Sequence, residues 1–441
     1  MRRSFWRLGP LVLLLTSALE AQPIEVPLTW SLRPDEGRTF FPLGFARLEK
    51  SLTAPEGWKL PPLASSIPAF AKLRLGDRDL LFVLDRSDPK QPFYDRLLFD
   101  RNGNGDLTDD PPLDADAARG QRGGFNADRK VWFYHATFTS PRVEIPVDGN
   151  SQPYAFRVTA YYSSGRGPAR EDAPPSAQDV ADGLQLNLMT HFAYTGTFTL
   201  NGRTYHVLLG DHDANGRIGE RPAAERKRGV RNDLLYVAPT RTMTYYDGFV
   251  IGDYLGLEGG LYAVDLQPSA NKLTLTPRTE GGGRIALGME VDRLVLVTPD
   301  GAHRVMVCHP GPTLPVPAGR YRIESYRARR KDDGGNTWTV RAQGDEKAPV
   351  VEVSPAGEAR LGFGEPYRPT AVPTAGPSGS SRLELRVLGT AGERVVGLDC
   401  AGEAASRIAR SPTKKNMAAE PTYRVLGGDG KVVAEGAFRY G

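Results

Sequence analysis

Residues 154–161 have the sequence YAFRVTAY, in which every second side chain is large or apolar and the intervening ones are more polar. Because successive side chains of a β-strand point to opposite faces, this alternation predicts a half-buried strand. The same period recurs between turn residues in 321–326 (YRIESY) and 382–388 (RLELRVL), whereas helical periodicity is scarce. The sequence therefore predicts a mainly β protein made of several antiparallel, β-sandwich-like domains.

Length and turn content predict more than one domain. The chain has 441 residues, of which 49 are glycine and 36 are proline, and a chain of this length is typical of two to four domains. Residues 163–183 are rich in Gly, Pro, Ala, Asp and Ser without apolar periodicity, which is typical of a linker or a long loop. We therefore expect a first β domain over 22–162, a second over 184–344 and a third over 345–441.

The third predicted domain contains several short extended segments. Their number, about seven in roughly a hundred residues, is typical of an immunoglobulin-like sandwich. The proline-rich piece 365–377 is either a linker or, through Thr370, Ala371 and Val372, an edge strand, where proline is tolerated.

The N-terminus has the layout of a signal peptide over residues 1–21. Arg2, Arg3 and Arg7 precede the apolar run 11–15 (LVLLL), and small residues follow up to Ala21. This run is far shorter than the ~20 apolar residues that span a bilayer, so no membrane span is expected. The sequence predicts export to the periplasm or the exterior, by the general secretory route or by twin-arginine export.

The net charge limits the classes of partner to expect, and the number of cysteines limits the disulfides that the fold can contain. The formal net charge is only +4, which is too small to create a field that captures nucleic acid or an anionic membrane. Cys308 and Cys400 are the only cysteines, so the fold does not depend on a dense set of disulfides. Both lie in apolar stretches, and the sequence leaves open one bridge or two separate buried thiols.

Two acidic loops carry the clearest chemical signal: residues 100–106 (DRNGNGD) and 211–217 (DHDANGR). Ca²⁺ takes six to eight oxygen ligands, which a loop supplies from alternating residues around a glycine at its sharp turn. The alternative is an Asn/Asp/Gly turn that holds no metal. The predicted ligands are Asp100, Asn102, Asn104, the main-chain oxygen of Asp106 and Thr108 in the first loop, and Asp211, Asp213, Asn215 and the main-chain oxygen of Arg217 in the second.

Over about a dozen residues each, the two loops resemble the calcium loops of EF-hands and dockerins. The resemblance implies a structural Ca²⁺ in each, but the twelfth position, normally a bidentate acid, is Pro111 in the first loop and Pro222 in the second. Another carboxylate must then close each site, and binding should be weak. The candidates are Asp109 or Asp110 for the first loop, and Glu220 or Asp233 for the second.

The sequence also contains a weak internal similarity, which we call the internal echo. Residues 73–85 (LRLGDRDLLFVLD) resemble 198–209 (FTLNGRTYHVLL), and 94–99 (YDRLLF) resemble 232–236 (NDLLY). Each pair predicts a hairpin followed by a further strand beside an acidic segment. The echo is either the trace of a duplication or a chance similarity of strand sequences.

No zinc-protease, serine-hydrolase or phosphate-loop motif is present in the sequence. Residues 314–323 (LPVPAGRYRI) resemble the turn that leads into a strand in prealbumin-like and other secreted bacterial β-sandwich modules. The leading prediction is an exported, calcium-stabilised, non-enzymatic β protein that binds a protein or glycan ligand or interacts with the cell envelope. The alternatives are a carbohydrate-active or other hydrolase with carboxylates on loops, and an assembly partner that pairs through an exposed strand edge.

Overall fold

The computed structural model describes residues 22–33, 44–90, 93–117, 122–128, 130–164, 176–222, 232–240, 243–278, 281–375, 381–401 and 420–438. Almost all of the regular structure in these ranges is β, which confirms the predicted fold class. The predicted signal peptide lies outside the described residues. Among the residues that are described, no helix has both the length and the apolar character needed to cross a membrane.

The described residues of the first part of the chain form thirteen strands. In the stretch YAFRVTAY, Tyr154 ends one strand and Phe156 begins the next, with the alternating residues of the second buried as the period predicts. The strands are β1 (Ile24–Pro27), β2 (Thr29–Leu32), β3 (Phe45–Leu48), β4 (Lys50–Ser51), β5 (Ala69–Leu75), β6 (Arg78–Asp85), β7 (Arg96–Phe99), β8 (Leu113–Asp114), β9 (Arg122–Asn126), β10 (Val131–Thr139), β11 (Val143–Val147), β12 (Asn150–Tyr154) and β13 (Phe156–Ser163).

The middle part begins with a short helix, α1 (Ala177–Gly183), inside the predicted linker. Ser176 caps it, because its side chain accepts from the main-chain nitrogen of Asp179. The strands that follow are β14 (Leu184–Thr190), β15 (Phe192–Leu200), β16 (Arg203–Gly210), β17 (Leu234–Ala238), β18 (Gly248–Val250), β19 (Tyr254–Leu257), β20 (Gly260–Gln267), β21 (Lys272–Pro277), β22 (Gly282–Leu287), β23 (Arg293–Val297), β24 (Arg304–Cys308), β25 (Thr313–Pro317), β26 (Gly319–Lys331) and β27 (Thr337–Gln343).

Where the structure describes it, the last part has seven extended segments, which is the number that the sequence predicts. They are β28 (Val351–Val353), β29 (Glu358–Leu361), β30 (Arg368–Ala375), β31 (Ser381–Leu388), β32 (Arg394–Ala401), β33 (Thr422–Leu426) and β34 (Val432–Ala437). Residues 368–375 of the proline-rich piece form β30, which lies at the end of its sheet, so the edge-strand alternative holds.

Four sheets contain most of the strands. The largest has the order β1-β21-β20-β19-β24-β23-β26-β27-β32-β31-β30, and β28 pairs with β26 beside it. The other three have the orders β3-β14-β13-β10-β9, β18-β17-β16-β15-β2 and β4-β5-β6-β7-β8. Strands β25, β22 and β29 form a small sheet, and β11–β12 and β33–β34 are separate hairpins. Only β19–β24 and β22–β29 are parallel among these pairs.

Strand pairing crosses the predicted domain boundaries. Strand β13 pairs with β14 on the far side of residues 163–183, and β2 pairs with β15. Strand β27 likewise pairs with β32, which joins the C-terminal region to the preceding strands. The division into three domains and the immunoglobulin-like arrangement of 345–441 stay predictions.

The main apolar core lies among the sheets that contain β6, β13 and β16 and the part of the large sheet that contains β1 and β19–β21. Phe156 of β13 contacts two rings of the facing sheet edge to face, with centroids 5.4 Å from Phe82 and 5.1 Å from Phe99. Large aromatic side chains of this kind dominate core energetics because each buries a large apolar area. A second core joins β22–β26 to β28 and β29. Cys308 and Cys400 are both free thiols.

Two three-stranded meanders correspond to the internal echo. Strands β5–β6–β7 and β15–β16–β17 are each consecutive antiparallel neighbours. The first acidic loop follows β7, and the second follows β16. Each loop therefore begins directly after a strand of its meander.

Candidate metal site

The register of β16 and β17 brings two aspartates together. Gly210, the last residue of β16, pairs with Leu234, the first residue of β17. Asp211 directly follows Gly210 and Asp233 directly precedes Leu234. Antiparallel partners lie side by side, so the two carboxyl groups are placed at the same end of the hairpin although 21 residues separate them in sequence.

Asp211 organises the second loop from within. Its Oδ2 accepts hydrogen bonds from the main-chain nitrogen of Gly216 at 2.8 Å and from the hydroxyl of Tyr154 at 2.8 Å. Its Oδ1 accepts from the main-chain nitrogen of Asn215 at 3.2 Å. Glycine is required at 216, where φ is +83° and a Cβ would lie 2.5 Å from the nitrogen of Gly76. Asp211 is fully buried.

Three carboxylates converge at this position. Asp211, Asp213 and Asp233 each offer an oxygen, and these oxygens all lie within 4.8 Å of one another. Asp211 and Asp233 are buried and Asp213 is half-buried. Oxygen ligands at this density are able to hold a hard metal ion. Of the sequence candidates, the structure thus brings these three together.

Burial disfavours the ionised form of all three groups, and repulsion within the cluster adds to it at Asp211 and Asp233. Burial, and then the charge of Asp213, raise the pKa of Asp233 to about 8. Burial, followed by the charges of Asp233 and Asp213, raises the pKa of Asp211 well above its usual value, and burial also raises the pKa of Asp213. Within the described residues, none of the three forms an ion pair with a lysine or arginine. Protons or a cation must therefore offset their charge.

Asn215 lies between two acids of the second loop. Its Nδ2 donates to Oδ2 of Asp213 at 3.0 Å and to Oε2 of Glu220 at 2.8 Å. Its Oδ1 accepts from the main-chain nitrogen of Arg217 at 2.6 Å. Rotation of the Asn215 carboxamide by half a turn would direct its oxygen, in place of its nitrogen, toward Asp213 and Glu220. Glu220 therefore borders the cluster through Asn215 rather than joining the three converging aspartates.

Asp233 closes the second loop through the main chain as well. Its Oδ1 accepts from the nitrogen of His212 at 2.9 Å, and its Oδ2 from the nitrogens of Gly219 at 2.6 Å and Glu220 at 3.2 Å. Of the two sequence candidates for the closing acid, Asp233 is thus the one inside the cluster.

The second loop is held by several neighbouring elements. The main-chain nitrogen of Gly76, in the β5–β6 turn, donates to the oxygen of Asn215 at 2.8 Å, and Nε2 of Gln152 donates to the oxygen of Gly216 at 3.1 Å. The predicted ligand at Arg217 is its main-chain oxygen, whereas its side chain forms ion pairs with Asp77 at 2.5 Å and Asp148 at 2.9 Å. The loop therefore lies where two other hairpins meet it.

The first loop contains the same turn. Oδ1 of Asp100 accepts from the main-chain nitrogens of Gly103 at 2.6 Å and Asn104 at 3.2 Å, and its Oδ2 accepts from Gly105 at 3.0 Å. Asp100 is buried. Oδ2 of Asp110 accepts from the nitrogen of Arg101 at 3.0 Å, and burial raises the pKa of Asp110.

The other acids of the first loop are engaged differently. Asp106 pairs with Lys59 at 2.6 Å and accepts from both the nitrogen and the hydroxyl of Thr108, and the bonds from Lys59 and Thr108 lower its pKa to about 2. Oδ2 of Asp109 accepts from Nδ2 of Asn102 at 3.2 Å and of Asn104 at 2.9 Å. Among the described residues, the Asp211 cluster is the only group of three His, Cys, Asp or Glu side chains with such geometry, so the first loop has no counterpart.

Tyr154 is the contributor that sequence reasoning missed. Its hydroxyl reaches Asp211 from β12, and its pKa is raised well above the usual value by burial and then by the charge of Asp211. The sequence does place a tyrosine on the predicted inward side of an alternating strand, and a buried tyrosine hydroxyl needs a polar partner. That signal does not say which partner.

The chain matches no protein-family model, no curated protein and no solved structure. Its function has to be inferred from the residues themselves.

Proposed function

We propose that this protein is an exported, calcium-stabilised β protein in which the second acidic loop binds one Ca²⁺ and thereby supports a surface for ligand binding or cell-envelope interaction. The observation that carries the proposal is the convergence of Asp211, Asp213 and Asp233 within 4.8 Å. Without a cation, carboxyl groups of this cluster have to bind protons in the folded protein, because two of the three are buried.

The donor chemistry favours Ca²⁺ over other common metals. All three converging groups are carboxylates, and hard oxygen ligands suit calcium, whereas zinc prefers nitrogen and sulfur. The carboxamide of Asn215, the carboxylate of Glu220 and the main-chain oxygen of Arg217 are the additional oxygens that would complete a shell of six or more. Mg²⁺ demands a stricter octahedron and keeps several waters, which fits a buried cluster less well.

The expected affinity suits an exported protein. Pro222 replaces the terminal bidentate acid of EF-hand-like loops, so we expect a dissociation constant of about 0.1–1 mM, the regime of extracellular calcium modules. Such a site is filled outside the cell and empty in the cytoplasm. This agrees with the export predicted from residues 1–21.

The role of the ion would be structural. The second loop contacts the β5–β6 turn through Gly76 and the β11–β12 hairpin through Gln152. An ion bound only by the folded loop stabilises that state by mass action, and it would stabilise these contacts together. Asp211 is fully buried against Tyr154, so it is not accessible to a substrate, which weighs against placing the hydrolase alternative at this cluster.

The test is calorimetric titration of the mature full-length protein with calcium, together with thermal unfolding in chelator and in millimolar calcium. Asp213→Asn removes one charge while keeping the shape of the side chain, and Asn102→Ala, at the same position of the first loop, is the matched control. We expect calcium binding and a rise in Tm in the wild type and in the control. Both should be lost in Asp213→Asn. Equal melting of the wild type in chelator and in calcium would reject the proposal.

The binding role needs a separate experiment. A screen of the wild-type protein against glycans and envelope components, in calcium and in chelator, should find a ligand whose binding weakens when calcium is removed. A ligand bound equally well in chelator would separate the binding surface from the ion.

A further inference from the structure

Three arginines lie side by side on the large sheet. Arg293 of β23 pairs with Arg327 of β26, and Arg327 pairs with Arg341 of β27. Residues directly opposite one another in neighbouring strands project from the same face of a sheet, and we call these three side chains the arginine row. Like charges in such positions repel one another. The row is therefore stable only if negative charge from other groups offsets its own.

Arg293 is the most deeply buried member of the arginine row, with 8% of its surface exposed. Its Nη1 donates to the main-chain oxygen of Tyr246 at 2.7 Å and its Nη2 to that of Gly248 at 2.6 Å, and its guanidinium carbon lies 3.4 Å from the centre of the Phe249 ring. Burial lowers the pKa of Arg293 to about 10, so the group is still charged at neutral pH. Within the described part of the chain, no carboxylate forms an ion pair with it. A buried charge without an acid beside it is costly.

Arg327 and Arg341 have acidic partners, but these partners do not saturate the row. Nη1 of Arg327 donates to Asp247, whereas Nε of Arg327 is buried and donates no hydrogen bond to any described group. Oδ2 of Asp292 lies 3.8 Å from that nitrogen. Arg341 donates to Asp399, whose side chain is 60% exposed, so water weakens this pair. Among the described residues, Asp247 is thus the one carboxylate that hydrogen-bonds the buried part of the arginine row.

The chain just before β18 forms a compact turn over residues 244–247, which we call the lid turn. Oδ2 of Asp247 accepts from the nitrogen of Thr244 at 2.6 Å and from its hydroxyl at 2.8 Å, and the nitrogen of Asp247 donates to the oxygen of Thr244 at 2.9 Å. Strand β18 is anchored separately, because it pairs with β17 and its Phe249 is buried in the main core. A short turn of this kind opens locally at a lower free energy than the sheet beside it.

The lid turn contacts every member of the arginine row. The main-chain oxygen of Tyr246 accepts from Arg293, and the carboxylate of Asp247 accepts from Arg327. The centre of the Tyr246 ring lies 3.9 Å from the guanidinium carbon of Arg341. Tyr246 is itself 55% exposed, so the lid turn lies between the arginine row and solvent.

The contact between Asp247 and the arginine row uses only part of what the row offers. A guanidinium group binds a carboxylate best through two parallel hydrogen bonds. One oxygen of Asp247 accepts from Nη1 of Arg327, and the other is used within the lid turn by Thr244. A carboxylate from solution has no such restriction, and it can bridge neighbouring members of the row.

We propose that the arginine row is a binding site for a ligand with two or more carboxylates, and that Asp247 occupies the site in the ligand's absence. Binding replaces Asp247 on Arg327 and also supplies an acid to Arg293, which releases the lid turn. The ligand class follows from the positive charge of the row and from the carboxylate that already occupies part of it. The proposal goes beyond calcium binding and does not depend on it, since none of these residues belongs to the second acidic loop.

Hydrogen exchange of the wild-type, full-length protein tests the proposal. Exchange of the lid turn is compared in sodium succinate, a dicarboxylate, and in sodium chloride of the same ionic strength and pH. We expect exchange of residues 244–247 to be about threefold faster in succinate, because an opened turn loses its protection. Exchange in β19 should be the same in both salts. Equal exchange of the lid turn in the two salts would overturn the proposal.

A variant tests whether the arginine row accepts a carboxylate from solution. Asp247→Ala removes the internal acid, and in sodium chloride we expect the lid turn to exchange about tenfold faster than in the wild type. Sodium acetate, the free counterpart of the missing side chain, should slow this exchange again, whereas chloride at equal ionic strength should not. No difference between acetate and chloride would contradict the carboxylate site.

Asp300→Ala is the matched control. Asp300 also accepts from a threonine hydroxyl and a main-chain nitrogen in a surface turn, those of Thr298 and Ala302, but it forms no ion pair with an arginine among the described residues. Exchange of the lid turn in this variant should equal that of the wild type. An effect as large as that of Asp247→Ala would show that a general loss of stability is responsible, which would also overturn the proposal. The wild-type comparison of the two salts stays decisive if Asp247→Ala does not fold.

Discussion

Asp100 and Asp211 begin loops with the same turn. The Asp100 carboxylate accepts main-chain hydrogen bonds from the fourth and sixth residues of its loop, and the Asp211 carboxylate accepts them from the fifth and sixth. Around Asp100, the remaining acids are divided among a lysine, a threonine and two carboxamides. Around Asp211, two further carboxylates converge without a basic partner among the described residues. The two loops therefore share the turn, and the side chains around each turn determine whether negative charge accumulates there.

The acids that close the two loops, Asp110 and Asp233, occupy equivalent positions relative to the turn. Asp110 accepts from the nitrogen of Arg101, the second residue of its loop, and Asp233 accepts from the nitrogen of His212, again the second residue. Asp110 belongs to the same loop as Asp100, whereas Asp233 comes from the next strand. The second loop therefore receives its acid through strand register, at a buried position.

The largest expected difference between the loops is the cost of removing the first aspartate. In chelator, Asp211→Ala leaves two main-chain nitrogens and the Tyr154 hydroxyl without their acceptor in a buried place, and we expect a loss of about 3 kcal/mol or more. Asp100→Ala should cost about 1 kcal/mol, since the exposed neighbours of its loop let water replace the carboxylate. Urea unfolding measures both, and equal costs would contradict the difference in environment.

Exchanging the third position tests which feature sets the metal preference. In about 5 mM calcium, a site with a dissociation constant of about 0.1–1 mM stabilises the wild type by about 1–2 kcal/mol. Asp213→Asn should abolish this stabilisation, and Asn102→Asp should not create it, because Asp106 is already held by Lys59. If Asn102→Asp gains the response, then the third-position acid matters more than the buried closure by Asp233. Thermal unfolding with and without chelator gives the answer.

The pH dependence of the metal-free protein is the next effect in size. The pKa of Asp233 is raised to about 8 by burial, against about 4 in the unfolded chain. The folded state therefore holds protons that the unfolded state releases between these values, so this contribution to stability is present below pH about 4 and is lost as the pH rises through about 8. In chelator we expect the unfolding free energy to fall by about 1.4 kcal/mol per pH unit for one proton between pH about 4 and about 8, and to level off above that range. Asp233→Asn should flatten the fall, and an unchanged slope would contradict the assignment.

The smallest effects concern the exposed ion pairs of the two loops. Lys59→Ala and Arg217→Ala both break surface pairs, which contribute little and are screened by salt. Arg217→Ala should lower Tm more than Lys59→Ala, because Arg217 contacts two acids on two different hairpins. The difference should disappear in high salt, and a shift that survives high salt would show that packing rather than charge is responsible.

The sequence predicted the loops because their hydrogen bonds are local. Asp211 contacts Asn215 and Gly216, four and five residues away, and Asp100 contacts Gly103 and Gly105 in the same manner. It left the closing acid as a choice between Glu220 and Asp233. The pairing of Gly210 with Leu234 resolves that choice, and strand register is not encoded in the spacing of the loop itself.

By itself, the sequence determined the β period of the strands and the two Asp-containing turns, since both depend on residues within a few positions of one another. Only the tertiary structure decided that one turn is closed by a buried acid from the next strand and reached by Tyr154 from β12. The physical reason is that burial and the approach of distant charges set the cost of an ionised carboxylate, and both arise from packing between sheets rather than from neighbouring residues along the chain.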